Sequence, residues 1–168
     1  MEKVDPKFFI GPMSKNVVDA VIDINNSADL KIGLIPSRRQ VEYNGGYVNN
    51  WTTRIFSNYV KTHCESIVIE RDHGGPGQGF RDDDGIKSYE LDAEYFDIIH
   101  IDPWKNFPNY KDGLEQTIFG IKFCNSINPE CFFEVGTEEA IRAFSEMDLM
   151  TLLTDLKKNL SKVLWKIL

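Results

Sequence analysis

Five short apolar runs alternate with segments of helical periodicity along this chain, and this alternation constrains the fold more than any other feature of the sequence. None of the runs alternates cleanly between polar and apolar residues, which is typical of strands covered on both faces of a parallel sheet. Repeated β/α units joined by right-handed crossovers therefore predict an α/β protein with parallel strands. The five predicted strands are residues 8–10, 31–35, 66–69, 97–101 and 131–135.

The segments between the predicted strands carry helix signals. Ser14 can cap a first helix, and Thr52 or Thr53 can begin a second. Asp112 precedes a third apolar face. The last segment has the clearest pattern, because residues 145–148 offer a capping-box-like start and the apolar residues after them keep helical spacing. Those apolar residues are Leu149, Leu152, Leu153, Leu156, Leu160, Val163, Leu164 and Ile167.

The number of units leaves two architectures. Five β/α units could form an open, doubly wound sheet or most of a TIM-like (β/α)8 barrel, which usually needs about 250 residues. The chain has 168 residues. We therefore expect a single domain over residues 1–168, with a TIM-barrel-like architecture that is incomplete at about five β/α units.

Charge and cysteine usage limit the partners and the compartment. The formal net charge of -7 argues against a nucleic-acid groove and against an anionic membrane surface. The three cysteines have no CxxC spacing, and no apolar run approaches the roughly 18 residues of a membrane span. With no signal-peptide pattern, these features predict a cytoplasmic protein with reduced thiols.

Polar or conformationally special residues follow every predicted strand. Because the carboxyl ends of parallel strands meet at one rim, we expect these residues to converge on a binding or active face. The segments are residues 11–14, 36–40, 70–73, 102–105 and 134–138.

The pair Asp72 and His73 admits two interpretations. In one, the carboxylate of Asp72 shuttles a proton while the imidazole of His73 holds a divalent metal. In the other, His73 is the acid or base and Asp72 binds a hydroxyl group. His63 and His100 show no metal-ligand spacing, and His100 is interpreted as a hydrogen-bonded core residue of the fourth strand.

Other residues of the rim suit an anionic ligand. Arg38 and Arg39 could hold a phosphate or a carboxylate. Gly45 and Gly46 suit a loop that approaches a ligand closely. The acidic run at residues 82–84 is interpreted as a loop that caps a helix, because it lacks the register of an EF-hand.

Several short motifs resemble a known family. In their order and spacing they are similar to the class II tagatose-bisphosphate aldolase accessory, or non-catalytic, subunits. These are (β/α)8 proteins related to the zinc-dependent class II ketose-bisphosphate aldolases. The motifs are residues 39–41, 45–47, 72–76, 100–102 and 135–138.

The resemblance implies roles for individual residues. It implies an acid/base role for Asp72, zinc binding by His73, and substrate or metal-shell roles for Asp102 and Glu134. We count Asp72, Asp102 and Glu134 as the catalytic candidates. The substrate-binding candidates of this face are Arg38, Arg39, Gln40, Gly45, Gly46, Lys105 and Glu138.

Two functions follow as hypotheses. The first is an aldolase-like lyase that cleaves or forms a carbon–carbon bond of a phosphorylated or acidic sugar, with zinc as the cofactor. The second is a non-catalytic aldolase subunit, or a sugar-phosphate-binding module, that stabilises a partner enzyme. Unpaired backbone on the outer strands invites pairing with another chain, so we expect a homo-oligomer or a complex with a partner aldolase subunit.

Overall fold

The computed structural model describes residues 6, 8–28, 30–136 and 143–160, which contain five β/α units. The strands are β1 (Phe8–Ile10), β2 (Ile32–Leu34), β3 (Glu70–Gly74), β4 (Ile98–Ile101) and β5 (Phe132–Val135). The helices are α1 (Lys15–Ser27), α2 (Thr53–His63), α3 (Ile86–Tyr95), α4 (Tyr110–Ile127) and α5 (Glu146–Asn159).

All pairs between these strands are parallel. β1 pairs with β2, and β3, β4 and β5 form a three-stranded sheet in chain order. Isolated parallel bridges from Leu34 to Ile69 and from Ser37 to Asp72 join the two sheets. The prediction of an α/β protein with parallel strands in chain order is thus confirmed.

The predicted position of the third strand is wrong. The sequence placed it at residues 66–69, whereas β3 is Glu70–Gly74 and only Ile69 of the predicted run forms a bridge. The charged residues at the predicted rim therefore lie inside the strand. This is possible because Arg71 has a buried partner, Asp92, on α3.

The helix signals are confirmed in their main features. The side chains of Ser14 and Thr52 cap α1 and α2, and Ser145 forms a capping box with Asp148 at the start of α5. The third predicted helix begins slightly earlier than expected, since Asn109 caps α4. The end of the last predicted helix, residues 161–168, lies outside the described residues.

The acidic run caps a helix that the apolar pattern did not predict. Asp84 Oδ1 accepts a hydrogen bond from the backbone N–H of Ile86, the first residue of α3.

No helix of the described ranges is long and apolar enough to cross a membrane.

The core lies between the helices and one face of the strands. Ile99 and Ile101 of β4 pack with Ile121 and Cys124 of α4. Because side chains of a strand alternate between its faces, His100 points to the opposite side of the sheet. That second face carries the polar groups described next.

Candidate functional site

β3 presents its charged side chains to opposite faces of the sheet. Arg71 is fully buried on the helix side, where it donates to Asp92 and to the carbonyls of Pro36 and Val41. Neighbouring residues of a strand point in opposite directions, so Asp72 lies on the other face. Its side chain is 38% exposed, and it is available to a ligand.

His73 is held by a buried carboxylate. Its Nδ1 lies 2.7 Å from Oδ2 of Asp102, which follows β4 and has a side chain 1% exposed. The same oxygen accepts a 2.8 Å hydrogen bond from Nε2 of Gln78. His73 adopts φ 45°, a left-handed conformation that is uncommon outside glycine and often marks functional sites. This contact directs the remaining ring nitrogen, Nε2, away from Asp102.

His100 lies beside His73. The two ring centroids are 4.7 Å apart, and burial lowers the pKa of His100 below its ordinary value. Its Nε2 is a buried atom with no hydrogen-bond partner within the described structure, which corrects the interpretation of His100 as a satisfied core residue. A buried unpaired nitrogen is rare and calls for an explanation.

Asp72, His73 and His100 together form a set of donors that suits a metal ion. Each offers one ligand atom, and these atoms lie within 4.8 Å of one another. Imidazole nitrogen and carboxylate oxygen are ligands of zinc, and a carboxylate on the second imidazole nitrogen is the usual support of a metal-bound histidine. Donors on one zinc are about 3.3 Å apart for bonds of about 2.0–2.1 Å. The donor types therefore suit zinc, and binding one ion would require the three side chains to move closer together.

Glu70 adds a proton-bearing group to the same face. Burial raises the pKa of Glu70 to about 8, and a hydrogen bond with Glu134 and the charges of Glu134 and Asp72 act in the same direction. Glu134 Oε2 lies 3.9 Å from Nδ1 of His100. A protonated carboxylic acid can thus lie near the two imidazoles at neutral pH.

Arg38 has a structural role that the sequence did not reveal. It is buried and donates to Glu42, to both carboxylate oxygens of Asp83 and to the carbonyl of Gly75. Four of the five N–H groups of a guanidinium are thereby used within the protein. This arrangement corrects the interpretation of Arg38 as a phosphate ligand.

Lys105 and Gln40 are also engaged by the protein. Lys105 Nζ donates to the carbonyl of Gly77. Gln40 Oε1 accepts from the backbone N–H of Ser37. A Cβ on Gly46 would lie 2.1 Å from the carbonyl oxygen of Gln40, so this glycine is required by close packing of the loop.

The other substrate-binding candidates are spread along the rim. Arg39 is exposed, and Gly45 adopts φ 103° in the same loop. Glu138 lies outside the described residues. Of the predicted set, the structure brings together Asp72, His73, Asp102 and Glu134, whereas Arg38 binds Glu42, Asp83 and Gly75.

Sequence reasoning missed Gln78, Glu70 and the ligand potential of His100. The position of Glu70, two residues before Asp72, carries a signal, because residues i and i+2 of a strand share a face. His100 carries the same signal, since it precedes Asp102 by two residues, whereas Gln78 carries none, because it lies in the loop after β3.

Comparison with known proteins supports the fold alone. No family model and no curated protein matches the chain. Among solved structures, a probable tagatose 6-phosphate kinase from Sinorhizobium meliloti 1021 matches with a TM-score of 0.73 and 14% sequence identity. The match covers 92% of this chain and 44% of that protein. The chain thus spans less than half the length of a protein with which it shares an α/β fold.

Proposed function

We propose that the carboxyl ends of β3, β4 and β5 form the acid–base site of a TIM-barrel-like protein that acts on a phosphorylated or acidic sugar as an aldolase-like lyase. The observation that carries this proposal is the cluster of Asp72, His73 and His100, with His73 anchored on the buried carboxylate of Asp102. The similar solved structure is described as a probable tagatose 6-phosphate kinase, which supports a phosphorylated sugar as the substrate class.

The residues of the site take separate roles in this proposal. Asp72 carries the proton, because its carboxylate is partly exposed and lies beside the ring of His73 without being one of the proposed zinc ligands. Asp102 fixes the ring of His73 by accepting from Nδ1. Glu134 accepts a hydrogen bond from protonated Glu70 and so stabilises its protonated form. The same Glu134 side chain lies 3.9 Å from Nδ1 of His100.

His73 and His100 would hold zinc. When bound, zinc supplies a positive charge that polarises a carbonyl group and stabilises developing negative charge. The two imidazoles bring one nitrogen each, and Asp102 sets the ring orientation of His73 as a carboxylate behind a metal ligand does.

Replacement of Asp72 by asparagine tests the acid–base role. The amide keeps the shape of the side chain but cannot accept the proton, so turnover of a sugar phosphate should fall by about 10²–10⁴. Asp84→Asn is the matched control, since Asp84 is exposed and caps α3. Unchanged lyase turnover in Asp72→Asn would refute the assignment.

Zinc content tests the metal role. His73→Ala and His100→Ala should each lower the zinc bound per chain at equilibrium, measured by elemental analysis after dialysis against a fixed free zinc concentration. His63→Ala is the control, because His63 lies exposed at the end of α2. Equal zinc content in all three variants would contradict the proposed ligands.

A specific observation also favours the second function, a non-catalytic subunit. Arg38 and Lys105 are used to hold the glycine-rich loop. In the described part of the chain, β1 and β5 each pair on one side only, which suits a partner strand. A binding module needs no turnover and no zinc, so it predicts that Asp72→Asn leaves the affinity for a partner aldolase subunit unchanged.

A further inference from the structure

Asp102 connects the glycine-rich loop after β3 to the candidate site. Its carboxylate is buried, and its Oδ2 accepts from two side chains, Nδ1 of His73 and Nε2 of Gln78. Its Oδ1 accepts from the backbone N–H of Trp104 at 3.3 Å. The orientation of the carboxylate is therefore set by Gln78 and Trp104 together.

Gln78 is held in the geometry that this contact needs. Its amide nitrogen lies 2.8 Å from Asp102 Oδ2 and 3.3 Å from the Asp102 carbonyl oxygen. The loop that carries it bends at Gly75 and Gly77, with φ 112° and φ 70°. Arg38 binds the carbonyl of Gly75 and Lys105 binds that of Gly77. Arg38 and Lys105 thus bind two backbone carbonyls of the loop, and Gln78 joins the loop to Asp102.

We propose that Gln78 is a positioning residue, which acts through Asp102 to keep His73 in the tautomer with the proton on Nδ1. The inference rests on the proposed function, in which Nε2 of His73 must present its lone pair to a metal or a proton. A neutral amide suits this position because it donates to the carboxylate without supplying a charge. A lysine would pair with Asp102 and compete with His73, and a glutamate would repel it.

The loss of the amide should release the carboxylate. Without the amide, the 3.3 Å contact from the Trp104 N–H is the remaining backbone contact that fixes the carboxylate, so the carboxylate can rotate about its Cβ–Cγ bond and carry Oδ2 out of line with Nδ1 of His73. The ring of His73 then loses its fixed acceptor at Nδ1. We expect Gln78→Met to lower the ratio of Nδ1–H to Nε2–H tautomer of His73 by about tenfold.

The experiment measures side-chain ¹⁵N spectra of the metal-free 168-residue protein with labelled histidine, at a pH where the rings are neutral. The spectrum of His73→Ala identifies the signals of His73 among those of the three histidines. Gln116→Met is the matched control, since Gln116 lies on α4 and the same change there should leave the ratio unaltered. Gln78→Asn, which keeps the amide but shortens its reach, provides a second variant if Gln78→Met does not fold.

A double variant separates positioning from a general structural effect. If Gln78 acts through Asp102, Gln78→Met should change nothing further for His73 in an Asp102→Asn background. The inference is overturned if Gln78→Met leaves the ratio unchanged, or if it shifts the ratio equally in both backgrounds. Because the measurement uses the metal-free protein without substrate, a failure of the lyase proposal leaves this result readable on its own.

Discussion

The two faces of β3 carry charged side chains in contrasting states. Arg71 is fully buried on the helix face, with Asp92, Thr53 and two backbone carbonyls as partners. Asp72, the next residue, is 38% exposed, and its Oδ1 lies 3.6 Å from Nε2 of His73. Two neighbouring residues of β3 thus differ: Arg71 is buried with several hydrogen-bond partners, whereas Asp72 is partly exposed to solvent.

The difference shows how this strand combines stability and chemistry. The Arg71–Asp92 pair joins β3 to α3 and, through Pro36 and Val41, to the loop after β2. A network in which every partner is satisfied makes the structure rigid. The opposite face gains fixed positions from that rigidity, and on it the Asp72 side chain stays 38% exposed.

The largest expected effect comes from removing the Arg71 side chain from the buried face of β3. Arg71→Met leaves Asp92 as a buried charge without its partner, so the free energy of unfolding should fall by about 3–5 kcal/mol. Urea denaturation measures the change. Arg54→Met is the control, because Arg54 is exposed on α2 and such changes usually stay within about 0.5 kcal/mol.

A double variant sharpens the same prediction. Removing both charges with Arg71→Met and Asp92→Leu should recover much of the lost stability, since well-packed apolar residues often replace a buried ion pair without cost. A double variant less stable than Arg71→Met alone would show that the contact of Asp92 with Ser88 Oγ contributes more than the removal of its unpaired charge.

The next effect concerns how the stability of the protein changes with pH through the ionisation of Glu70. The pKa of Glu70 is raised to about 8, first by burial and then by Glu134, whereas an unfolded glutamate titrates near 4.5. The native state therefore binds the proton more tightly, and its stabilising effect is complete below the unfolded pKa. It is lost as the pH rises through the native pKa, at up to about 1.4 kcal/mol per pH unit.

Glu70→Gln removes this titration and provides the test. The difference in unfolding free energy between wild type and Glu70→Gln should change in favour of the variant between about pH 4.5 and pH 8. Urea denaturation at several pH values measures it. Parallel pH profiles for the two proteins would show that Glu70 has the same proton affinity in the folded and unfolded states.

Much of the fold follows from local patterns in the sequence. The alternation of apolar runs with capped amphipathic segments predicted parallel strands in chain order, and Ser14, Thr52 and Ser145 cap helices as expected. These signals depend on residues within a few positions of each other. The third strand was misplaced because its burial depends on Asp92, 21 positions after Arg71, and hydrophobicity alone does not report such a pair.

The site divides in the same way. The strand-end rule placed Asp72, His73 and Asp102 at one rim, and the structure joins His73 to Asp102. The rule could not show that the guanidinium of Arg38 binds Glu42 and Asp83, because those contacts join two different loops. Residue type predicted where chemistry is available, whereas long-range contacts decide which groups remain free for it.

The smallest expected effect is on the stability of Asp72→Asn, and it tests the contrast with Arg71 most directly. The Asp72 side chain is partly exposed, and its bridge to Ser37 is made by the backbone, so the unfolding free energy near pH 6 should change by less than about 0.5 kcal/mol. The charge of Asp72 is one of the causes that raise the pKa of Glu70. In the variant the loss of stability through Glu70 should therefore end at a lower pH than in wild type. The variant should then be slightly more stable at pH 9, where one of three repelling carboxylates is gone. Urea denaturation at the two pH values decides the matter, because a loss above about 1 kcal/mol at both would give Asp72 a structural role like that of Arg71.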